Sequence, residues 1–289
     1  MIQSSELILN PDGSVYHLNL HPENIATDII FVGDQDRVEK ISRHFDTVEF
    51  TTQKREFKTH TGTLRGKRLT VMSTGIGPDN IDIAMNELDA LVNIDLKSRV
   101  PKATHTPLNI IRIGTSGSLQ PYIPVDSIVL STHGLGLDNM LRSYVIDHIT
   151  DPEIEEAFMA HTRWDLRKGR PYVIRGSEQL ARLFYTQDTF KGITATAGGF
   201  YGPQGRVLRL PVQDPLLNGL MDNFKIGETA ITNFEMETAA IYGLAALLGH
   251  EALSLNAIIA NRATGTFSND PYFAVDRLIE YTLDRLVQS

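Results

Sequence analysis

The chain has no cysteine. That absence removes disulfides, thiolate nucleophiles and cysteine-ligated zinc or iron in one step, and leaves any chemistry to oxygen, nitrogen and bound ligands. Long apolar runs are missing too. Hydrophobic residues make up 42% of the 289, enough for a sizeable core, but polar residues break every run before it could span a bilayer. Nor does a basic N-terminal segment lead into a hydrophobic stretch, so no signal peptide is readable and a globular cytoplasmic protein is expected. Positive charge is scarce as well: 27 Lys and Arg against 35 Asp and Glu leave a net charge of −8. Phosphate-backbone affinity needs clustered cations, so this balance argues against a nucleic-acid binder. An anionic ligand would have to be met by individually placed arginines.

Apolar, β-branched runs alternate with helical spacing. Strands are expected over 27–32, 69–73, 109–114, 127–131, 193–196 and 253–260, and helices over 37–45, 78–92, 178–185, 237–248 and 271–287. The last helix has a clear start, with Asp270 as N-cap and Pro271 in the first turn. This alternation implies an α/β domain around a parallel or mixed sheet. No repeat or Gly/Ser linker divides the chain, so a single domain over 1–289 is expected. Two polar stretches read as insertions: 97–108, with Pro101 and Pro107, as a surface loop, and 135–172 as a lid, a partner contact or a helical insertion.

The most telling segment is Asn233-Phe234-Glu235-Met236-Glu237-Thr238, which sets two carboxylates at the head of an apolar helix. In extended form, residues two apart face the same side, so Glu235 and Glu237 can address one pocket. Carboxylates accept paired hydrogen bonds from vicinal hydroxyls, and the Met236 thioether offers a soft apolar floor; the combination suits a sugar. The structural alternative is that both acids complement the helix dipole.

A second signal is a cation inside a strand. In Asn109-Ile110-Ile111-Arg112-Ile113-Gly114-Thr115-Ser116-Gly117, Arg112 interrupts an apolar run and a small-residue turn follows. An unpaired buried charge is penalised by several kcal/mol, so Arg112 should meet a carboxylate or a bound anion. Gly33-Asp34-Gln35-Asp36-Arg37 closes the first strand in a similar way, and Lys54-Arg55-Glu56-Phe57 supplies another cation. Singly, each of these is an ion pair, a turn or a helix cap. Together, Arg37, Arg55 and Arg112 on an acidic chain point to one oxyanion pocket, with phosphate its natural occupant.

These segments, with Ser73-Thr74-Gly75-Ile76-Gly77, Phe200-Tyr201-x-x-Gln204-x-Arg206 and Asn261-Arg262, occur in the order found in uridine phosphorylases. The chain thus resembles the nucleoside phosphorylase family over nearly its whole length, and the uridine branch most closely. The resemblance implies a three-layer α/β/α sandwich around a mixed central sheet, and a pentosyltransferase of pyrimidine salvage. It implies phosphate binding by Gly33, Arg37, Arg112 and Thr115, with Arg55 reaching in from a neighbouring subunit. His17 would touch the ribose 5′-hydroxyl across the same interface, and Glu235, Met236 and Glu237 would hold the ribose, Glu237 through the 2′- and 3′-hydroxyls. Ser116, Gly117, Phe200, Gln204, Arg206 and Arg262 would contact the base, the Phe200 ring by stacking and the Gln204 amide and Arg206 guanidinium along the pyrimidine edge.

Purine-specific members carry an Asp after a Ser where this chain has Asn261-Arg262, which favours a pyrimidine. Catalysis would rest on Arg206, Gln204, Arg112 and Glu237, with inorganic phosphate as co-substrate and neither a catalytic metal nor a covalent enzyme intermediate. Some members hold a monovalent cation such as K⁺ between subunits; Glu56 and Ile76 match that site, whereas Asn80 replaces a Ser. Gln35 stands where the phosphate loop usually has Pro, and Gly202-Pro203 reverses the usual order. The expected partners are nucleoside and phosphate only, in a homodimer that shares its active sites, with assembly of such dimers into a hexamer left open. Three alternatives stay in view: a nucleosidase using water, a phosphorylase of purine or modified nucleosides, and a nucleoside-binding protein without turnover.

Overall fold

A computed structural model describes residues 1–288. The strands are, in chain order, β1 (Asp28–Val32), β2 (Thr47–Lys54), β3 (Phe57–Leu64), β4 (Lys67–Ser73), β5 (Asn109–Ser118), β6 (Ile128–Gly136), β7 (Tyr172–Arg175), β8 (Thr189–Thr196), β9 (Thr229–Glu235) and β10 (Glu251–Asn261), with several two-residue pairings besides. The helices are α1 (Gln35–Ser42), α2 (Pro78–Asn93), α3 (Pro152–Thr162), α4 (Glu178–Phe184), α5 (Leu217–Asp222), α6 (Thr238–Leu248) and α7 (Pro271–Leu286).

Across the sheet the strands lie in the order β9, β8, β6, β10, β5, β1, β4, β3, β2. β1 runs parallel to β4 and β5, and β8 parallel to β6 and β9, whereas β10 is parallel to β5 but antiparallel to β6. The sheet is therefore mixed. β9 also pairs with β5, through Asn233 opposite Ser118 and Phe234 opposite Gly117. That pairing closes β5, β6, β8, β9 and β10 into a ring, while β1 to β4 extend from it as an open wing.

Alternation along the strands makes the layers. In β1, Ile29 and Phe31 pack beneath α2 and α6, with Ile81, Met85, Ala240 and Leu244. Ile30 and Val32 face the other way, toward Val38 of α1, Leu180 of α4 and Leu278 of α7. A strand buried on both faces reads as a continuous apolar run, as 27–32 does. The result is the expected α/β/α sandwich around a mixed sheet.

Differences from the expected elements have local causes. α1 starts at Gln35 rather than 37 because the Asp34 side chain accepts from the Asp36 N–H at 3.0 Å and so caps the helix earlier. β5 continues to Ser118 because its small polar end keeps pairing with β10 up to Asn261. The β2–β3 hairpin went unread, since β2 is largely exposed and carries no apolar signal. Segment 97–108 is a surface excursion whose Val100–Pro101 pairs with Ile94–Asp95. Segment 135–172 is no detached lid: its ends belong to β6 and β7, and α3 between them buries Ile154 and Phe158 against Phe224.

Candidate active site

The ends of β1, β5 and β9 open onto one cavity of about 1000 Å³. Gly33, Arg37, Arg112 and Thr115 line it together with Glu235, Met236 and Glu237, and with Ser116, Gly117, Phe200, Gln204 and Arg206. Sequence segments more than 200 residues apart thus meet where α/β sheets usually bind ligands, at the carboxyl ends of the strands.

Arg112 lies buried on β5 and meets both acids. Its Nη2 donates to Glu237 Oε2 in a short contact and stands 3.3 Å from Glu235 Oε2. Its Nη1 donates to Asn256 Oδ1 at 3.1 Å. Burial alone would lower the Arg112 pKa, but the two carboxylates outweigh it and raise it. The structural alternative for Arg112, an internal ion pair, is therefore realised, and realised at the wall of the cavity.

The two acids differ in what they hold. Glu235 accepts from the N–H groups of Glu237 (2.8 Å) and Thr238 (3.0 Å) and from Thr196 Oγ1 (2.7 Å), so it serves as the cap of α6. Its oxygens are largely spent on the fold, although the residue lines the cavity. Glu237 accepts from the Gly77 N–H at 2.8 Å. Gly77 sits at φ 103°, ψ 161°, a region open in practice to glycine alone, which is how the 73–77 loop brings its amide to that carboxylate. Burial raises the Glu237 pKa, and Arg112 opposes the rise.

Arg37 completes the cationic side. Its Nη1 donates to the Ile113 carbonyl at 3.1 Å, and among the described residues no carboxylate pairs with it. Burial first, and then the Arg112 charge, lower its pKa. Two guanidinium groups that repel each other at the edge of a cavity favour an anion between them.

At the other end, Arg206 Nη1 donates to the Phe200 carbonyl at 2.6 Å and to Gln204 Oε1 in a short contact, and its Cζ lies 3.9 Å from the Phe200 ring centre. One face of Phe200 is thus covered by a cation. The Gln204 amide has its oxygen turned to Arg206, so its NH₂ is the group left to donate. A second, mostly apolar cavity of about 870 Å³ shares Arg206 but is lined by Leu137, Trp164, Leu208 and Leu217; Glu235, Glu237, Arg37 and Arg112 all line the first instead.

Three of the other expected site residues, Arg262, Arg55 and His17, stand outside the cavity. Arg262 is not part of the lining: its Nη2 donates to the Gln204 carbonyl at 2.8 Å and braces that loop, while its Nη1 is buried without a hydrogen-bond partner. Arg55 is exposed at the β2–β3 turn with φ 54°, and His17 is held by Glu87, Nδ1 to Oε1 at 2.6 Å. Neither reaches the cavity of its own chain. Glu56, Ile76 and Asn80 line the cavity's edge, but Asn80 Nδ2 donates to the Ile76 carbonyl at 3.3 Å. A hard cation takes several oxygen ligands, and one subunit offers too few there.

Asp89, His105 and His250 gather near the opposite strand ends. The Leu108 N–H donates to His250 Nδ1 at 3.2 Å, which places the ring proton on Nε2, facing Asp89 Oδ1 at 3.3 Å. With Nδ1 taken by the Leu108 N–H, His250 has only Nε2 left to turn toward Asp89.

Two residues of the site escaped sequence reading, Gly77 and Asn256. Asn256 carried a usable signal: like Arg112, it is a polar residue inside an apolar strand run.

Fold and cavity together define an α/β enzyme that sets a cationic cup beside buried acids. The Phosphorylase superfamily matches residues 27–280, and the chain belongs to it. A uridine phosphorylase of Thermococcus kodakarensis is 30% identical over 270 residues, 91% of this chain and 83% of that protein. A DeoD-type purine nucleoside phosphorylase of Bacillus thuringiensis is 27% identical over 276 residues, 94% of this chain and 98% of its own. Among solved structures, a Trypanosoma brucei nucleoside phosphorylase described as showing uridine phosphorylase activity superposes with a TM-score of 0.89 at 29% identity, covering 98% of this chain and 100% of that one.

Proposed function

We propose that the protein cleaves uridine with inorganic phosphate, giving uracil and ribose 1-phosphate. The observation that carries this reading is Arg37, a cation without a carboxylate partner, beside Arg112 in the cavity that also holds Glu237 and the Gln204–Arg206 pair. Phosphate seated at Gly33, Arg37, Arg112 and Thr115 attacks C1′ as the glycosidic bond breaks. The bonding electrons leave with the base, and the ribose takes on oxocarbenium character that the phosphate charge offsets. Glu237 accepts from the ribose hydroxyls over Met236, while Arg206 and the Gln204 NH₂ donate to the oxygens of the departing uracil anion. Preorganised donors aimed at developing charge are the largest single source of such rate enhancement.

The base assignment draws on Asn261. Its Nδ2 donates to the carbonyls of Gln120 (2.9 Å) and Ile123 (2.8 Å), and its Oδ1 accepts from the N–H groups of Ala263 (2.9 Å) and Thr264 (3.0 Å). That side chain is consumed by a turn, so no acid stands at this position to protonate a purine. The uridine phosphorylase relatives favour the same choice, and the purine relatives set the alternative. Arg55 and His17, exposed or half-buried away from their own cavity, complete the site of a second subunit in a homodimer. A nucleosidase has no use for Arg37, which disfavours water as the acceptor.

The test is a panel of uridine, 2′-deoxyuridine, thymidine and inosine, each with and without phosphate. Cleavage of uridine only with phosphate, and little of inosine, is the expected outcome; equal cleavage without phosphate, or preference for inosine, overturns it.

A further inference from the structure

The site needs a device that keeps the Arg112 guanidinium turned to the phosphate position while two carboxylates pull on it. We propose that Asn256 is that device, a positioning residue for phosphate acting through Arg112; this rests on the phosphorolysis reading above.

Asn256 is fully buried on β10, directly across from Gly114 of β5, and Ser254 stands across from Arg112. Residues two apart on a strand share a face, so Arg112, Gly114, Ser254 and Asn256 all look into the same space. Gly114 leaves room there. A Cβ built on it would overlap the Arg112 guanidinium and stand 2.7 Å from Asn256 Oδ1. The arginine therefore lies along its own strand, over the glycine, and meets Asn256 at 3.1 Å.

The orientation of that amide is determined. A guanidinium only donates, so Oδ1 must face Arg112, and Nδ2 then donates to Ser254 Oγ at 3.2 Å. Ser254 Oγ in turn accepts from Thr238 Oγ1 at 2.8 Å, and Thr238 follows Glu237 directly. Asn256 thus ties the free end of Arg112 to the start of α6, where the ribose acid sits.

Neutrality is the second half of the requirement. Arg112 already meets both Glu235 and Glu237, while Arg37 has no carboxylate pair among the described residues. Asparagine orients Arg112 without adding charge, whereas a carboxylate would leave the cup negative before phosphate arrives. The residue acts on the anion and leaves the base end alone.

Asn256→Ala and Asn256→Asp separate these parts. Loss of a hydrogen bond to a charged group predicts a phosphate KM raised about tenfold in Asn256→Ala, with the uridine KM within about twofold of wild type. Asn256→Asp keeps the accepting oxygen, adds charge, and raises the phosphate KM further. A fluorimetric melt of the same proteins gives a readout free of turnover: phosphate raises the melting temperature of wild type and raises that of either variant less. If wild type itself cleaves uridine independently of phosphate, the functional reading fails and takes this role with it. If wild type depends on phosphate but both variants keep its KM and its stabilising effect, or if phosphate and uridine KM rise together, Asn256 merely supports the fold and the proposal is overturned.

Discussion

Glu237→Gln is the sharpest probe of the sugar end, because amide and carboxylate have nearly the same shape. In the native site Oε1 accepts from the Gly77 N–H at 2.8 Å and Oε2 accepts from Arg112. A glutamine has one oxygen for these two donors. Whichever way it turns, its NH₂ confronts either the Gly77 N–H or the guanidinium, and one buried donor is left unpaired. That costs about 1–3 kcal/mol, which would lower the melting temperature by about 2–4 °C per kcal/mol. The Arg112 charge keeps Glu235 at 3.3 Å, so the loss should fall short of that for breaking a lone buried ion pair.

Turnover should suffer more, and selectively. If Glu237 accepts from the ribose 2′-hydroxyl, its removal costs uridine a charge-assisted hydrogen bond, about 10- to 100-fold in kcat/KM. 2′-Deoxyuridine never made that bond, so the variant should lose less on it and the ratio of the two substrates should narrow. Uracil release followed by absorbance for both substrates, in wild type and variant, gives the ratio. An unchanged ratio, with both substrates falling equally, refutes a role for Glu237 in holding the 2′-hydroxyl.

Further predictions concern the base, the subunit boundary and pH. If Arg206 donates to the leaving uracil, Arg206→Ala should lower kcat by about 10²- to 10³-fold; turnover within tenfold of wild type on a uridine assay would contradict that role. Arg55→Ala and Arg206→Ala chains, each nearly inactive alone, should regain activity when mixed and allowed to exchange subunits, because one hybrid site then carries both native residues; no recovery would place Arg55 outside the site. Burial and a neighbouring cation lower the pKa of His60, beside Lys58, and of His133, near Arg175, from 6.5. The unfolded chain therefore binds protons that the folded one refuses, so stability is full above pH 6.5 and falls as pH drops toward the folded values. A His60→Gln, His133→Gln double variant should show a smaller fall in melting temperature between neutral pH and mild acid, and an identical fall would assign the acid sensitivity elsewhere.

How much of this could be read from residues alone depended on whether the signal was local. β1 and α7 were plain, one from an unbroken apolar run and the other from the Asp270 cap and Pro271; Asp270 does accept from the Phe273 N–H, at 3.0 Å. The exposed β2 and the polar stretch containing α3 were not, because their packing is set by distant partners such as Phe224. In the site, the incongruity of Arg112 in a strand announced a partner, but which partner was a tertiary matter: both acids, 123 and 125 residues further on, supply it. The division of labour between Glu235 and Glu237 was invisible, since identical side chains two residues apart differ only in which amides face them. The place of Arg262 in a motif gave no sign that its Nη2 would be taken by the Gln204 carbonyl.

The central claim is that Arg37 and Arg112 hold the nucleophile. ³¹P NMR of a reaction containing uridine and inorganic phosphate tests it most directly. The expected result is a new sugar-phosphate resonance that grows in step with uracil release and disappears in Arg37→Ala. Uracil accumulating with free ribose and an undiminished phosphate signal would contradict it.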